Sequence, residues 1–354
     1  MKAWILHGIG DIRYEEVTRP LPKYGEVLVA VKAAGICGSD IPRIYRTGAH
    51  RMPLIPGHEF AGEVVELGEG VNVSWQGKRV GIFPLIPCRE CVPCQTKQYE
   101  MCRHYRYLGS RCDGGFAQYV AVPVWNLMEL PENVSFEEAA MLEPMSVAVH
   151  AMRRVKIEAD DSVVVWGLGT IGLLLVMFLR ERGVQKILVV GNKTTQQKQA
   201  AALGLPEEYF CNSSIQDPRE WVLHCTSGQG ADVLFECVGK NDIISQVVDL
   251  AATAGRICMV GNPYSDMQLE KDIYWKILRN QLTITGTWNS SYTGEPTDDW
   301  HYVLEKLREK KISPASAITH RLQLDDLERG LTIMRDKSED YIKIMAFVAD
   351  SGSL

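Results

Sequence analysis

The sequence predicts an α/β protein: a doubly wound parallel sheet joined to a second, mostly antiparallel β lobe. Three observations predict it. The chain has 354 residues, room for two domains at roughly 100–200 residues each. Its texture changes near residue 155, from short β-rich segments dense in glycine and proline to a regular alternation of apolar strands and helices. A Gly-x-Gly-x-x-Gly run, Gly167, Gly169 and Gly172, stands at the first strand–helix junction of the alternating part.

The elements follow in order. MKAWILHGIGD is too poor in apolar residues for an export signal and reads as a first strand. Glu26–Val31, Glu59–Leu67 and Gly115–Val122 read as strands of an irregular lobe. A helix is expected over 135–154, with Ser135 as cap and Glu138 at the capping-box position. Strands then fall at 162–167, 186–191, 231–239 and 256–262, and helices at 170–182, 196–204 and 242–253. Continuous β-branched runs between amphipathic helices indicate a parallel sheet buried on both faces. The alternation stops after 282–288. Two charged helices near 298–311 and 324–336 and a last strand, YIKIMAFV, are expected to return to the first lobe. The expected domains are therefore 155–288, inserted, and 1–154 with 289–354, discontinuous.

Hydrophobic residues make up 46% and charged residues 23%, with a net charge of −6, an ordinary soluble composition. No Lys/Arg block is present, which argues against nucleic acid and anionic membrane as partners. The longest apolar run, 173–179, stops at Arg180, far short of the ~20 residues that span a bilayer. Ten cysteines without an export signal point to a reducing, cytoplasmic compartment.

The glycine run has the strand–turn–helix context that makes it informative. It permits a tight turn and brings backbone N–H groups close to a pyrophosphate at a helix N-terminus. A carboxylate for a ribose 2′-hydroxyl is expected about 20 residues on. There the chain has Gly191, Asn192, Lys193, Thr194 and Thr195 instead. A glycine leaves room for a 2′-phosphate, and amide, ammonium and hydroxyl groups bind one. NADP(H) is expected over NAD(H); the competing reading has Asn192 on a ribose hydroxyl and Lys193 in solvent.

Cys88, Cys91, Cys94 and Cys102 lie within fifteen residues. Four thiolates on a short loop close around one structural Zn²⁺ at ~2.3 Å with no open position. Disulfides compete, but Cys-x2-Cys neighbours pair poorly. A second set is Cys37 in AAGICGSD, His58 and Glu59 in PGHEF, and Glu143 in AMLEPM. Cysteine, histidine and carboxylate, with one place left open, are the composition of a catalytic zinc. Glu143 stands in an apolar stretch where a bare carboxylate is costly to bury; a metal would neutralise it, as would a salt bridge. Five further cysteines, Cys112, Cys211, Cys225, Cys237 and Cys258, receive no function.

GICGSD, PGHEF, the four-cysteine loop, DGGFAQY, LEP and GLGTIG occur in the order seen in zinc-dependent medium-chain dehydrogenases, over essentially the whole chain. Glu143 resembles the polyol, sorbitol-dehydrogenase-like branch, and the segments 39–44, 47–50, 109–119 and 276–292 are similar to those of dehydrogenases acting on galactitol 1-phosphate. The resemblance implies a GroES-like catalytic domain, a Rossmann domain, a cleft between them, and homodimers or homotetramers. It makes Cys37, His58 and Glu143 the catalytic zinc ligands, with Glu59 the alternate, and Ser39 the proton-relay hydroxyl. It makes Gly167, Leu168, Gly169, Thr170, Ile171 and Gly172 the pyrophosphate turn, and has Val238 and Val260 flank a nicotinamide. Many relatives carry a relay histidine where this chain has Pro42, so the proton exit stays open. Asp40 is expected to make structural contacts rather than act as a base.

The implied reaction takes a secondary alcohol to a ketone, with zinc as Lewis acid and hydride passing to NAD(P)⁺. Arg43, Arg46, His50, Arg51 and Arg111 are candidates for a phosphate on the polyol; the alternative is arginines on a surface loop and an unphosphorylated polyol or other secondary alcohol as substrate. A zinc-free reductase on the same architecture would lack the metal ligands. A non-catalytic ligand-binding descendant would have little reason to keep ligands, relay serine and glycine turn together.

Overall fold

The structure, a computed structural model, describes residues 1–349. The chain forms two compact units, one of residues 1–143 with those from 291 onward, the other Pro144–Ser290.

In the first unit, β1 (Lys2–Gly8) and β2 (Asp11–Glu16) make an antiparallel hairpin. The main sheet uses β3 (Glu26–Ile36), β4 (Glu59–Leu67) and β5 (Arg79–Ile82). The short β6 (Leu85–Ile86) and β7 (Arg106–Tyr107) pair with each other, and β8 (Tyr119–Pro123) and β9 (Leu127–Glu129) rejoin the main sheet. The second unit holds β10 (Ser162–Trp166), β11 (Lys186–Gly191), β12 (Phe210–Asn212), β13 (Ala231–Glu236), β14 (Ala251–Met259) and β15 (Thr283–Gly286). The chain then returns to the first unit with β16 (Ile318–Gln323) and β17 (Lys343–Phe347).

The first unit's sheet has the order β16-β17-β3-β4-β5-β9, with β8 also on β3. It is antiparallel except for β16 and β17, which run parallel. Trp4, Val27, Val29, Phe60, Phe116, Leu331 and Ile344 belong to its core. The second unit's sheet is parallel throughout, in the order β12-β11-β10-β13-β14-β15. All five residues of β10 are buried, as expected of a central strand covered on both faces. Burying each valine contributes about 1.5–3 kcal/mol.

The expected helix over 135–154 is two helices, Phe136–Ala140 and Leu142–Arg153. The Ser135/Glu138 capping box is present. Pro144 has no N–H for the Ala140 carbonyl and its ring would clash there, so the first helix stops and the second restarts with proline in its first turn. The restart places Glu143 in that turn. The expected helix over 242–253 ends at Asp249, and Ala251 pairs with Ala231 in the sheet. Strand pairing overrides the helical preference of the alanines there. β12 and the helix Pro218–Cys225, capped by Asp217, complete the sheet beyond the elements expected. No helix among the described residues is long and apolar enough to cross a membrane.

Candidate active site and metal centres

The four-cysteine loop wraps around a short helix, Val92–Gln95, with Arg89 and Lys97 in the left-handed region at φ 67° and 58°. These turns bring Sγ atoms together: Cys91 to Cys94 at 3.5 Å, Cys91 to Cys102 at 3.8 Å, Cys88 to Cys94 at 3.9 Å. A tetrahedron with metal–sulfur bonds of ~2.3 Å has edges of about 3.8 Å, whereas a disulfide bond is about 2.05 Å. All four cysteines are free, and their spacing fits a zinc ion. The Cys91 thiol is pulled down to about 6, chiefly by the Arg103 backbone N–H, while burial pushes Cys94 up to about 12. Arg89 packs over Trp125 at 4.5 Å, and Trp125 meets Tyr99 and Tyr292, so an aromatic cluster anchors the loop.

The second centre forms where β3, β4 and β17 lie side by side. Cys37 follows β3, His58 immediately precedes β4 and Glu59 opens it, and one ligand atom of each lies within 4.8 Å of the others. Gly35 pairs with Glu59 on one side and Met345 on the other. A Cβ on Gly35 would run into Glu59 Oε2 and stand 2.8 Å from Lys343 Cε, so only glycine lets these two side chains meet beside it. Glu59 Oε2 is ion-paired with Lys343 Nζ, which also donates to the Ile36 carbonyl at 3.0 Å. Glu59 and Lys343 are 1% and 2% exposed, which makes this a desolvated pair.

Asp40 is wholly buried. It accepts from Cys37 N at 3.0 Å and from Arg43 Nη1 at 2.5 Å, and its Oδ1 stands 3.5 Å from His58 Nδ1. Burial opposes ionisation of both Asp40 and His58, but the surrounding charges together outweigh it: His58 and Arg43 hold the Asp40 carboxyl below its ordinary value, and Asp40 and Cys37 hold the imidazole well above. Ser39 Oγ donates to Cys37 Sγ at 3.3 Å, and Ser39 N approaches the same sulfur at 3.5 Å.

Glu143 lies beside this group but outside the 4.8 Å set. Tyr107 Oη donates to its Oε1 at 3.1 Å. Burial pushes its carboxyl up to about 7; His58 opposes the shift and Glu59 adds to it. The carboxylate closest to Cys37 and His58 is thus the alternate, Glu59, with the expected ligand Glu143 held next to them by a phenol. Lys343 and Tyr107 were not foreseen. Lys343 had a legible signal, a lone ammonium in the apolar run YIKIMAFV, the same reasoning that singles out Glu143.

The five candidate phosphate-binding residues are dispersed in their commitments. Arg43 is bound to Asp40, and Arg51 to Asp113 at 2.8 Å. Arg111 lies over the Tyr105 ring at 4.5 Å. His50 is lowered by burial, then by Arg111 and Arg43, so these three share one neighbourhood. Arg46 is exposed on the turn Arg43–Thr47.

In the second unit, Gly167 follows β10 at φ 99°, and a Cβ on Gly172 would strike the Gly167 carbonyl. Gly169 opens the helix Thr170–Glu181 with empty space where its Cβ would be. That is the cradle a pyrophosphate needs, with backbone N–H groups at a helix start. Leu168 is buried and Ile171 half-buried behind it. After β11, the space above Gly191 is taken by Gln196, whose Oε1 is 2.6 Å from where a Cβ would stand and accepts from Asn192 N at 2.8 Å. The room expected there for a phosphate is filled by an amide.

Glu236, the last residue of β13, is another unforeseen feature. It is fully buried, and its Oε1 accepts from Val238 N at 2.7 Å and Gly239 N at 2.8 Å. Its backbone carbonyl accepts from Val260 and Gly261. One residue thus braces both turns that carry Val238 and Val260.

Residues 23–132 match the alcohol dehydrogenase GroES-like domain, and residues 170–309 match the zinc-binding dehydrogenase family. Over 322 residues the chain is 31% identical to galactitol 1-phosphate 5-dehydrogenase of Escherichia coli K12, covering 91% of this chain and 92% of that protein. It is 33% identical to sorbitol dehydrogenase of Halalkalibacterium halodurans over 98% of each chain. The crystal structure of the Escherichia coli galactitol-1-phosphate dehydrogenase superposes with a TM-score of 0.90 at 29% identity, over 98% of this chain and 100% of that one. A zinc-binding dehydrogenase of Sinorhizobium meliloti bound to NADP gives 0.88 at 27% identity, over 98% of both chains. An alcohol dehydrogenase of Escherichia coli CFT073 complexed with NADH gives 0.89 at 27%, over 98% and 99%.

Proposed function

The chain belongs to the zinc-dependent medium-chain dehydrogenases and is an NAD(P)-dependent alcohol or polyol dehydrogenase; within that class we propose that it interconverts a sugar-alcohol phosphate, such as galactitol 1-phosphate, and the corresponding ketose phosphate. The observation that carries the reading is the gathering of Cys37, His58 and Glu59 with Glu143 beside them. A thiolate, an imidazole and a carboxylate suit Zn²⁺ and leave a place for a substrate oxygen.

When bound, zinc supplies Lewis acidity toward the hydroxyl or carbonyl oxygen, and the nicotinamide supplies the hydride acceptor. Cys37, His58 and Glu143, with Glu59 as alternate, hold the metal. Asp40 orients His58, as carboxylates behind ligand histidines do. Ser39 carries the proton outward from the substrate hydroxyl; Pro42 has no proton to pass on, so a water chain or the ribose hydroxyl continues the path. Residues 155–288 serve as the nucleotide-binding domain, and 1–154 with 289–354 as the catalytic domain. Gly167 to Gly172 take the pyrophosphate, and Val238 and Val260 flank the nicotinamide. NADP(H) is preferred, because no carboxylate occurs between Gly191 and Ala202 to repel a 2′-phosphate; Asn192 and Lys193 then bind that phosphate. Cys88, Cys91, Cys94 and Cys102 hold a structural zinc. Ten free thiols suit a reducing, cytoplasmic compartment.

The phosphate is assigned to the neighbourhood of His50, Arg43 and Arg111, with Arg46 and Arg51 at its margin. A second reading, an unphosphorylated polyol, draws on the pairing of Arg43 with Asp40 and of Arg51 with Asp113. The deciding experiment measures kcat/KM for paired polyols and polyol phosphates with both cofactors, before and after chelation. The proposal expects the phosphate and NADP⁺ each favoured at least about tenfold. Equal kcat/KM for polyol and phosphate removes the phosphate pocket, and a tenfold preference for NAD⁺ removes the cofactor assignment.

The chain is also proposed to form homodimers or homotetramers. β15 is an edge strand of the second unit's sheet, and an open edge is a template for pairing. Ile284 on it, with Tyr274, Trp275 and Leu278 on the helix Lys271–Arg279 and Trp288 beyond, are large exposed apolar residues, the mark of a covered surface.

A further inference from the structure

The turn after β11 is where the adenosine ribose of a dinucleotide is expected, and its backbone groups are already engaged. The Gly191 carbonyl accepts from Ser213 N at 2.8 Å and from Ser213 Oγ at 3.0 Å, and the Asn192 carbonyl from Ser214 Oγ at 3.3 Å. Asn192 N and Lys193 N donate to Gln196 Oε1 at 2.8 Å and 3.2 Å. Side chains are therefore left to read the ribose, and Gln196 is the one clasped to the turn. Its Oε1 and the Phe210 ring lie 2.6 Å and 3.2 Å from where a Cβ on residue 191 would stand, so a carboxylate at 191 and this clasp exclude each other. Two N–H donors can be met only by the oxygen of the amide. That fixes which end of Gln196 faces the turn and leaves its –NH2 group for a ligand; Nε2 donates to no protein group among the described residues. A carboxylate at this corner accepts from a ribose hydroxyl, whereas an amide fixed this way donates, and a phosphate oxygen is its complement.

We propose that Gln196 is the specificity-determining residue for the cofactor's 2′ position, its oxygen holding the turn and its –NH2 group selecting a 2′-phosphate. This rests on the nucleotide-site reading above. The test measures dissociation constants by calorimetry on full-length protein for adenosine 2′,5′-bisphosphate and 5′-AMP, which differ only in the 2′-phosphate. Gln196→Glu exchanges –NH2 for an anionic oxygen at nearly constant shape and keeps Oε1 for the two N–H groups. It is expected to weaken the bisphosphate relative to 5′-AMP by about a hundredfold, because it brings like charges together. Gln196→Met removes the donor without adding charge and is expected to weaken the bisphosphate about tenfold while 5′-AMP changes less than about twofold. Gln199→Glu places the same charge one helical turn further on and is expected to change the ratio by less than about fivefold. An unchanged ratio in Gln196→Glu, or an equal change in Gln199→Glu, overturns the proposal. If the Gln196→Glu protein does not fold, an unchanged ratio in Gln196→Met overturns it instead. Wild-type protein that binds 5′-AMP as tightly as the bisphosphate is a separable result: it overturns the NADP(H) preference, while a shift of about a hundredfold in Gln196→Glu still supports Gln196 as the determinant.

Discussion

Asp40 concentrates much of the metal centre's chemistry in one side chain. It fixes the Cys37 backbone, engages Arg43, and faces His58 Nδ1. Asp40→Asn keeps the volume but removes the charge that orients the imidazole. Zinc affinity at the catalytic centre is expected to fall roughly 10–100-fold, with the four-cysteine site unaffected. Metal analysis after mild chelation should then find about one zinc per chain where wild type keeps about two. Retention of both at the wild-type rate removes Asp40 from the centre. Such residues differ in how far the sequence announces them. Cys37 and His58 stand in short motifs, and Glu143 is conspicuous as a charge among apolar neighbours. Asp40 is one polar residue in a turn, and only its complete burial makes its role visible.

At the scale of elements, the C-terminal ends of β10 and β13 carry the proposed nucleotide site. The glycine turn was legible because a tight turn between strand and helix demands glycine at set positions. The brace beneath the second turn was not, since a Glu ending a strand is unremarkable until its acceptors are traced. Glu236→Ala leaves the Val238 and Gly239 N–H groups without their acceptor, at about 1–3 kcal/mol for each unsatisfied group. Denaturant unfolding should show a loss of this order. KM for the cofactor should rise roughly tenfold while KM for the alcohol changes little. Equal changes in both would mean that Glu236 supports the fold without ordering the cofactor turns. The helix break at Met141 is also an element-scale outcome: Pro144 enforces it, and it places Glu143 in a first turn.

At the scale of the molecule, the second unit leaves β15 open and an apolar helix face uncovered. A second copy that continues the sheet would satisfy the edge and bury Ile284 and Trp288. Ile284→Lys would place like charges together across such a contact. Juxtaposed like charges cost several kcal/mol, enough to weaken association by more than about a hundredfold. Light scattering of the eluted protein is expected to give a multiple of the chain mass for wild type and the single-chain mass for this variant. An unchanged oligomer would place the interface elsewhere.

The sequence by itself determined the parallel sheet, the glycine turn and the four-cysteine loop. Each is fixed by local spacing, whether the run of β-branched residues in β10, the positions of Gly167, Gly169 and Gly172, or the intervals from Cys88 to Cys102. It also singled out Cys37, His58, Glu59 and Glu143, which lie together in the fold, but not Lys343 beside them. Only the tertiary structure decided which carboxylate Lys343 holds, which arginines are already paired, and that Gln196 fills the space over Gly191. Those outcomes depend on strands from opposite ends of the chain coming into register, as β17 does beside β3 and β4, and on the partner each buried charge must find once water is gone.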